Sequence, residues 1–379
     1  MASWLAALLL ATSMALAFDP SSSSNFVVYW GQSSAGSQKS LSDYCQDSTV
    51  DAIALAFLYQ FPNTKLDFSS ACKTTFSGTN LLHCPDIAAD IKTCQAKGKI
   101  VLLSMGGAAG SYGFSSDAEA KTYADTMWDM FFGGSGSQRP FDDAVLDGVD
   151  LDVEGGSTTG YAAFVTQLRT HFASGGGKQY YVSAAPQCPF PDAMLGSTLD
   201  AAYFDMVFVQ FYNNYCGLDA YPQGFNYDAW DKWAKTQSPN KDVKIYIGAP
   251  GSQSAAGRGY VDASTLNTIV NSVRGSYSTL GGVMTWDASQ ALGSGGASSW
   301  GSSVSSNLKA GGSSSSSSSS SGSGNSDSSS NGGNGTSATQ GESTVGSSTA
   351  MTTGSSTESS GSIGNEAAAS STPKRRRRL

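Results

Sequence analysis

The stretch Leu146-Asp147-Gly148-Val149-Asp150-Leu151-Asp152-Val153-Glu154 sets acids at every second position among aliphatic residues. Read as a strand, its side chains alternate between two faces. Gly148, Asp150, Asp152 and Glu154 share one face, and Val149, Leu151 and Val153 the other. The apolar reverse face marks an internal strand whose acids open onto something polar. Like charges two residues apart disfavour simultaneous ionisation, and partial burial adds to that, so at least one of the three acids holds a proton near neutral pH. Glu154 has the longest side chain and stands where the strand meets its loop, which makes it the natural proton donor for acid–base bond cleavage. A metal site or a solvated edge strand are the bland alternatives. A helix-loop-helix calcium loop needs a Gly after its acids and few interleaved apolar residues, which this stretch does not offer.

Other apolar runs end in residues suited to a polar, ring-shaped ligand. Tyr29, Trp30 and Gln32 close a first run, and Ser104-Met105-Gly106-Gly107 closes a third, its glycines leaving room for a ligand against backbone. Ala184-Ala185-Pro186-Gln187, Gln210-Phe211-Tyr212-Asn213-Asn214 and Trp286-Asp287 close later ones. Aromatic faces stack on the CH side of a sugar ring, and amides bond its hydroxyls. Singly, each is more often a core or loop residue; together at one mouth they form a sugar site.

The elements that must carry these groups are legible from periodicity. Continuous apolar, β-rich runs recur at 26–30, 52–57, 100–104, 145–153, 180–185, 206–211, 243–247 and 283–286, as expected of parallel strands buried on both faces. Helical stripes lie between them. Ser116 and Glu119 form a capping box ahead of Ala120, Tyr123, Ala124, Met127, Trp128 and Phe131. Ile87, Ile91 and Cys94 run to a C-cap at Gly98; Tyr161, Phe164, Val165, Leu168 and Phe172 follow the acidic strand; Leu266, Ile269, Val270 and Val273 precede Gly275. These stripes are core. Eight strands alternating with helices predict a (β/α)8 barrel, a TIM barrel, over 18–309, with the site at the carboxyl ends of the strands.

The chain has 379 residues, a net charge of -8 and only 14% charged residues, against a usual ~25%. Such an acidic chain does not bind nucleic acid, which requires a basic surface. Residues 1–17 read as a secretory signal peptide, apolar from Leu5 to Leu10 and ending in the small-residue pattern Ala15-Leu16-Ala17. The segment is too short for a membrane span, and no later stretch qualifies. Six cysteines, Cys45, Cys72, Cys84, Cys94, Cys188 and Cys216, imply disulfides in a secreted protein, with 15 pairings open on spacing alone. With no CxxC and two His, neither a zinc site nor another metal or cofactor is expected. From 310 to 379 Ser, Gly and Thr dominate. That composition cannot bury a core and reads as an O-glycosylated stalk, with an N-glycosylation acceptor at Asn334-Gly335-Thr336. The run Lys374-Arg375-Arg376-Arg377-Arg378 would suggest nuclear import in another setting and reads here as a solvated tail. No hydrophobic tail follows it, so no lipid-anchor signal is expected.

The residues carry a definite resemblance. Asp147-x-x-Asp150-x-Asp152-x-Glu154 resembles the DxxDxDxE signature of glycoside hydrolase family 18, and Ser104-x-Gly106-Gly107 resembles its third-strand motif. The stretches 184–189, 209–214 and 281–284 are similar to the class III, hevamine-like chitinases, and the similarity runs over 25–305. The resemblance implies an endo-chitinase acting on chitin or chitooligosaccharides with retaining, substrate-assisted chemistry; the leader makes it a secreted protein, the stalk suggests retention near a cell wall, and a monomer is expected. Glu154 would be acid then base, Asp152 would orient the substrate acetamide, Asp150 would hydrogen-bond Asp152, and Tyr212 would donate to the acetamido oxygen. Trp286 would floor the site, with Tyr29, Gln32, Gln210 and Asn213 lining it. It also implies disulfides Cys45–Cys94, Cys72–Cys84 and Cys188–Cys216, and cis peptides at Ala56-Phe57 and Trp286-Asp287. Two other readings on the same barrel are a non-catalytic lectin or inhibitor, against which an intact Glu154 argues, and an N-glycan endo-β-N-acetylglucosaminidase, against which the class III motifs argue.

Overall fold

The computed structural model describes residues 18–293 and 299–313. The segment 1–17, expected to be a leader, and the stretch beyond 313, with the expected glycosylation acceptor at Asn334 and the basic end, lie outside the described residues. Eight parallel strands close into a barrel: β1 Asn25–Trp30, β2 Ala52–Phe61, β3 Ile100–Gly106, β4 Gly148–Asp152, β5 Tyr181–Ala184, β6 Met206–Gln210, β7 Lys244–Pro250 and β8 Leu280–Trp286. Each pairs with its neighbour in sequence, and β1 pairs with both β2 and β8. This is the predicted TIM barrel.

The helices packed around it are α1 Leu41–Gln46, α2 Pro85–Ala96, α3 Asp117–Phe131, α4 Tyr161–Ser174, α5 Gly196–Ala201, α6 Tyr227–Thr236, α7 Ala263–Ser276, α8 Ala288–Leu292 and α9 Trp300–Ser313. Helix α2 ends as foreseen at Gly98, which takes φ +75°. Its N–H bonds the Gln95 carbonyl and the Lys99 N–H bonds the Cys94 carbonyl, a Schellman motif. At α3 Ser116 Oγ accepts from the Glu119 N–H, while the Glu119 carboxylate reaches the Ser115 N–H at 2.6 Å. The reciprocal bond thus lands one residue earlier than in a standard capping box. Helix α9 runs through Ser313, so 310–313, assigned to the stalk by composition, continue the helix.

Strand alternation divides the core in two. Phe26, Val28, Ile53, Leu55, Val101, Leu103, Val149 and Leu151 face the helices in the larger cluster. Val27, Tyr29, Ala52, Ala54, Ala56, Leu102, Phe208, Tyr246 and Met284 fill the barrel interior. The small alanines of β2 make room for Phe208 and Tyr246, as interior layers of a packed barrel require. The three expected disulfides form, and Ala56-Phe57 and Trp286-Asp287 are cis.

The amino-terminal end of the barrel is clasped by a repeated device. Asp51, Asp147 and Asp205 each immediately precede an even-numbered strand. Each donates its own N–H to a residue of the preceding odd strand, namely Phe26, Val101 and Val182. Each carboxylate accepts that same residue's N–H in return, at 2.8, 2.8 and 2.7 Å. A cation completes each clasp: Lys309 on Asp51, Lys178 on Asp147 and Arg169 on Asp205. The fourth junction has Thr279, whose hydroxyl donates to Asp231 on α6. Asp147 therefore belongs to the barrel floor, although it opens the acidic signature. Asp147→Ala leaves the buried Val101 N–H without its acceptor and removes the Lys178 ion pair. It should cost about 3 kcal/mol, read as a lowered urea midpoint with unchanged m-value.

Candidate active site

Alternation along β4 carries Asp150 and Asp152 into the barrel, and the chain leaves the sheet after Asp152. Glu154 thus sits two residues past the last ladder pair, Gly106 with Asp152. Asp150 is fully buried and accepts three hydroxyl bonds, from Tyr29, Ser104 and Ser183, each at 2.7 Å. The bond from Asp150 to Asp152 implied by the resemblance is not among them. Asp152 Oδ1 instead accepts from Gln210 Nε2 at 2.9 Å, and that amide also holds the Ala185 carbonyl.

A cavity of about 160 Å³ opens above these acids, lined by Tyr29, Phe57, Asp152, Glu154, Gln210, Tyr212, Asn213 and Trp286 among others. That is several times the ~30 Å³ share of a liquid water, so it admits a ligand group. Phe57 stacks on Trp286 with ring centres 5.7 Å apart, and Tyr29 leans on both. Asn213 adopts φ +59°, a conformation Asn tolerates. Its Oδ1 accepts from the Gly257 N–H at 2.8 Å, fixing the loop after β7 against the rim. A larger cavity of about 530 Å³ lies at the opposite barrel end, around Asp205, Lys244 and Thr279. It contains none of the strand-end acids, and conserving that face of such a barrel serves stability.

Burial pushes the carboxyls of this mouth up. Asp150 rises through desolvation, restrained by its three hydroxyl donors. Asp152 rises well above the usual range through desolvation, then through the charges of Glu154 and Asp150. Glu154 rises through desolvation, restrained by Gln210 and Asp152, with the Asp192 charge adding to the rise. The Asp152 and Glu154 carboxyls act on each other, which raises the first and lowers the second, so they titrate as a pair. Tyr212 is pushed well up by burial and by the same three acids, and stays a neutral donor. Among the described residues no three His, Cys, Asp or Glu are grouped to hold a metal ion.

The profile of Glycosyl hydrolases family 18 matches residues 25–256. The chain belongs to family 18. It is 55% identical over 274 residues to Chitinase 1 of Rhizopus niveus, covering 70% of this chain and 54% of that one. The chain spans about half the length of curated relatives such as this one. Among solved structures it is similar to the ICChI chitinase from Ipomoea carnea, with TM-score 0.65, 29% identity and coverage of 75% of this chain and 99% of that one. It is also similar to the xylanase and α-amylase inhibitor protein XAIP-II from Scadoxus multiflorus, with TM-score 0.60, 31% identity and coverage of 72% and 99%.

Within this family 18 barrel, Tyr29, Gln210, Tyr212, Asn213 and Trp286 meet Asp152 and Glu154 at one cavity. Gln32 stands apart from it: its amide is spent on the carbonyls of Ala56 at 2.9 Å and Asp67 at 3.1 Å. Gly106 and Gly107 give their space to the protein itself. A Cβ on Gly106 would meet the Asp152 carbonyl at 2.1 Å, and one on Gly107 the Phe57 ring at 3.0 Å. Sequence reasoning passed over four contributors. Phe57 and Ser183 sit inside β-rich runs with nothing local to single them out. Tyr112 lies on the two-residue strand Ser111–Tyr112, too short for periodicity. Asp192 is buried in the loop after β5, where its carboxylate accepts the N–H groups of Gln187, Met194 and Leu195. Its Pro-Asp context reads as an ordinary turn. Removing its charge with Asp192→Asn should lower the Glu154 pKa, seen as a titration moved to lower pH in 13C-carboxyl NMR of Glu-labelled protein.

Proposed function

We propose that this chain is a secreted endo-chitinase that cleaves β-1,4-linked N-acetylglucosamine with retention of anomeric configuration. The observation that carries the reading is the placement of Asp152 and Glu154, acids of one strand face, together on an aromatic-floored cavity of a family 18 barrel. Three disulfides suit an oxidising, extracellular compartment, and among the described residues no helix is long and apolar enough to cross a membrane.

The chemistry follows from the positions. A sugar seated on Trp286 presents its acetamido group to Asp152 and Tyr212. Asp152 accepts the amide N–H, which favours its ionised form and leaves the pair's proton on Glu154. Glu154 gives that proton to the glycosidic oxygen as the C1–O bond breaks and its electron pair leaves with the oxygen. The acetamido oxygen, polarised by the Tyr212 hydroxyl, closes onto C1 and forms an oxazolinium ion whose charge the Asp152 carboxylate offsets. Water then attacks C1, delivers a proton to Glu154, and reopens the ring. No protein carboxylate acts as nucleophile. Asp152 and Glu154 come from one strand face, so neither stands behind C1 while the other protonates the leaving oxygen. Asp150 keeps Asp152 company as a fixed charge, restrained by its three hydroxyl donors.

The likeness to an inhibitor protein supports a second reading, a carbohydrate-binding or inhibitory protein on the same barrel. The intact Glu154 and the open cavity favour catalysis. Turnover of chitohexaose by the unaltered protein decides between them, and Glu154→Gln tests the residue that carries the catalysis. The substitution should reduce turnover of chitohexaose by about 10³-fold or more, the range of a general acid–base group, while oligosaccharide binding persists. Fully deacetylated chitosan should not be cut by the unaltered protein, because it lacks the internal nucleophile. Wild-type rates in Glu154→Gln would reject Glu154 as the acid–base group, and an unaltered protein that leaves chitohexaose intact would reject the catalytic reading.

A further inference from the structure

Beyond Asp152 the sheet no longer holds β4, yet Glu154 must be held. In a parallel ladder, a residue on the neighbouring strand donates to one carbonyl and accepts from the N–H two residues further on. Gly107 makes the first of these bonds, its N–H reaching the Asp152 carbonyl at 2.8 Å. The second bond would run from the Glu154 N–H to the Gly107 carbonyl. A phenol is inserted there instead: the Tyr112 hydroxyl accepts the Glu154 N–H at 3.0 Å and donates to the Gly107 carbonyl at 2.9 Å. We propose that Tyr112 is a positioning residue for the acid–base reaction, its hydroxyl splicing the ladder so that Glu154 leaves the strand at the angle that brings its carboxyl to Asp152.

The rest of Tyr112 is built to keep that oxygen in place. Residues 111–112 pair with β2, Phe61 opposite Tyr112. The ring stacks on Phe61 with centres 5.2 Å apart and planes 14° apart. A Cβ on Gly110 would fall 2.3 Å from the ring, so the chain leaves that position bare where the ring passes. Burial pushes the hydroxyl up to about 12, so it stays neutral and able to donate and accept at once. The second ladder bond through a side chain lengthens the link between β3 and the Glu154 backbone by one oxygen. An ordinary residue at 112 would leave the partly buried Glu154 N–H without this acceptor and the Gly107 carbonyl with only the Gly110 N–H at 3.2 Å.

This inference rests on Glu154 being the acid–base group, and the experiment separates the two. Wild type, Tyr112→Phe and Tyr161→Phe are compared on chitohexaose across pH. Tyr161 belongs to the same aromatic cluster around Phe61, and its buried hydroxyl has no hydrogen-bond partner among the described residues, so its loss should leave kcat and the pH profile unchanged. Tyr112→Phe should lower kcat about tenfold or more with KM within about twofold, the signature of an interaction felt in the transition state. 2,3-Difluorotyrosine at position 112 keeps the ring and makes the hydroxyl more acidic. It should lower kcat and displace the alkaline limb that loss of the Glu154 proton gives the wild type, and it serves as the test if the Phe variant does not fold. Wild-type kcat and a superposable pH profile in Tyr112→Phe, or in the fluorinated protein, would overturn the inference, as would a change confined to thermal stability. A wild-type protein that leaves chitohexaose intact would instead overturn the catalytic reading.

Discussion

A carboxylate sealed inside a barrel loses its hydration at a cost of several kcal/mol unless fixed dipoles replace the water. Asp150 is in that position, and three hydroxyls from three strands answer it: Tyr29 from β1, Ser104 from β3 and Ser183 from β5. That constraint reaches outward. It selects a Tyr at the end of β1 whose ring then leans on Trp286 and Phe57, and it fixes a charge beneath Asp152 that makes Asp152 reluctant to ionise. Glu154 faces the same cavity, its carboxyl likewise pushed up by burial, and in the proposed mechanism it is the acid. Desolvation is the first cause of every upward shift in this cluster, with like charge second at Asp152, so the site depends on remaining dry. The aromatic floor serves that need as well as offering a face for a sugar ring.

The same acidic strand serves two ends of the molecule. Asp147 clasps the barrel floor while Asp150, Asp152 and Glu154 climb toward the mouth. Its equivalents Asp51 and Asp205 close the floor at the neighbouring even strands by the same reciprocal pair of backbone and side-chain bonds. Floor and mouth are thus joined by a strand only a few residues long. Buried carboxylates are used as connectors at one end, where backbone donors and cations neutralise them. At the other end no backbone donor or cation among the described residues bonds them, and the proposed chemistry uses them as reactive groups.

Much of this was legible in the sequence because strand alternation is rigid. Once 145–153 is read as a strand, the shared face of Asp150, Asp152 and Glu154 follows, and eight buried runs separated by helical stripes leave few architectures. Residues at strand ends, such as Gln210, Tyr212 and Trp286, inherit their place from that count. What escaped had no periodic signal. Phe57 reaches the cavity from a run that looks like plain core, and Tyr112 acts from a two-residue strand paired to the far end of β2. Asp192 acts through space from a loop, by charge. Gln32 follows β1 closely enough to suggest the mouth, but the positive φ of Gly31 (+133°) turns the chain and its Nε2 donates to the Ala56 and Asp67 carbonyls. Gly106 and Gly107 read as space for a ligand, whereas the neighbouring strand and the Phe57 ring occupy it. A sequence shows that glycine is required without showing what approaches.

If Glu154 lends its proton while the sugar's own acetamide supplies the attacking atom, two displacements occur at C1. Proton NMR of the anomeric signals during the first minutes of chitohexaose cleavage, before mutarotation equilibrates them, reads this directly. The account predicts that new reducing ends appear first as the β-anomer. Reducing ends released first as the α-anomer would mean a single displacement by water, and the assignment of roles to Asp152, Tyr212 and Glu154 would be contradicted.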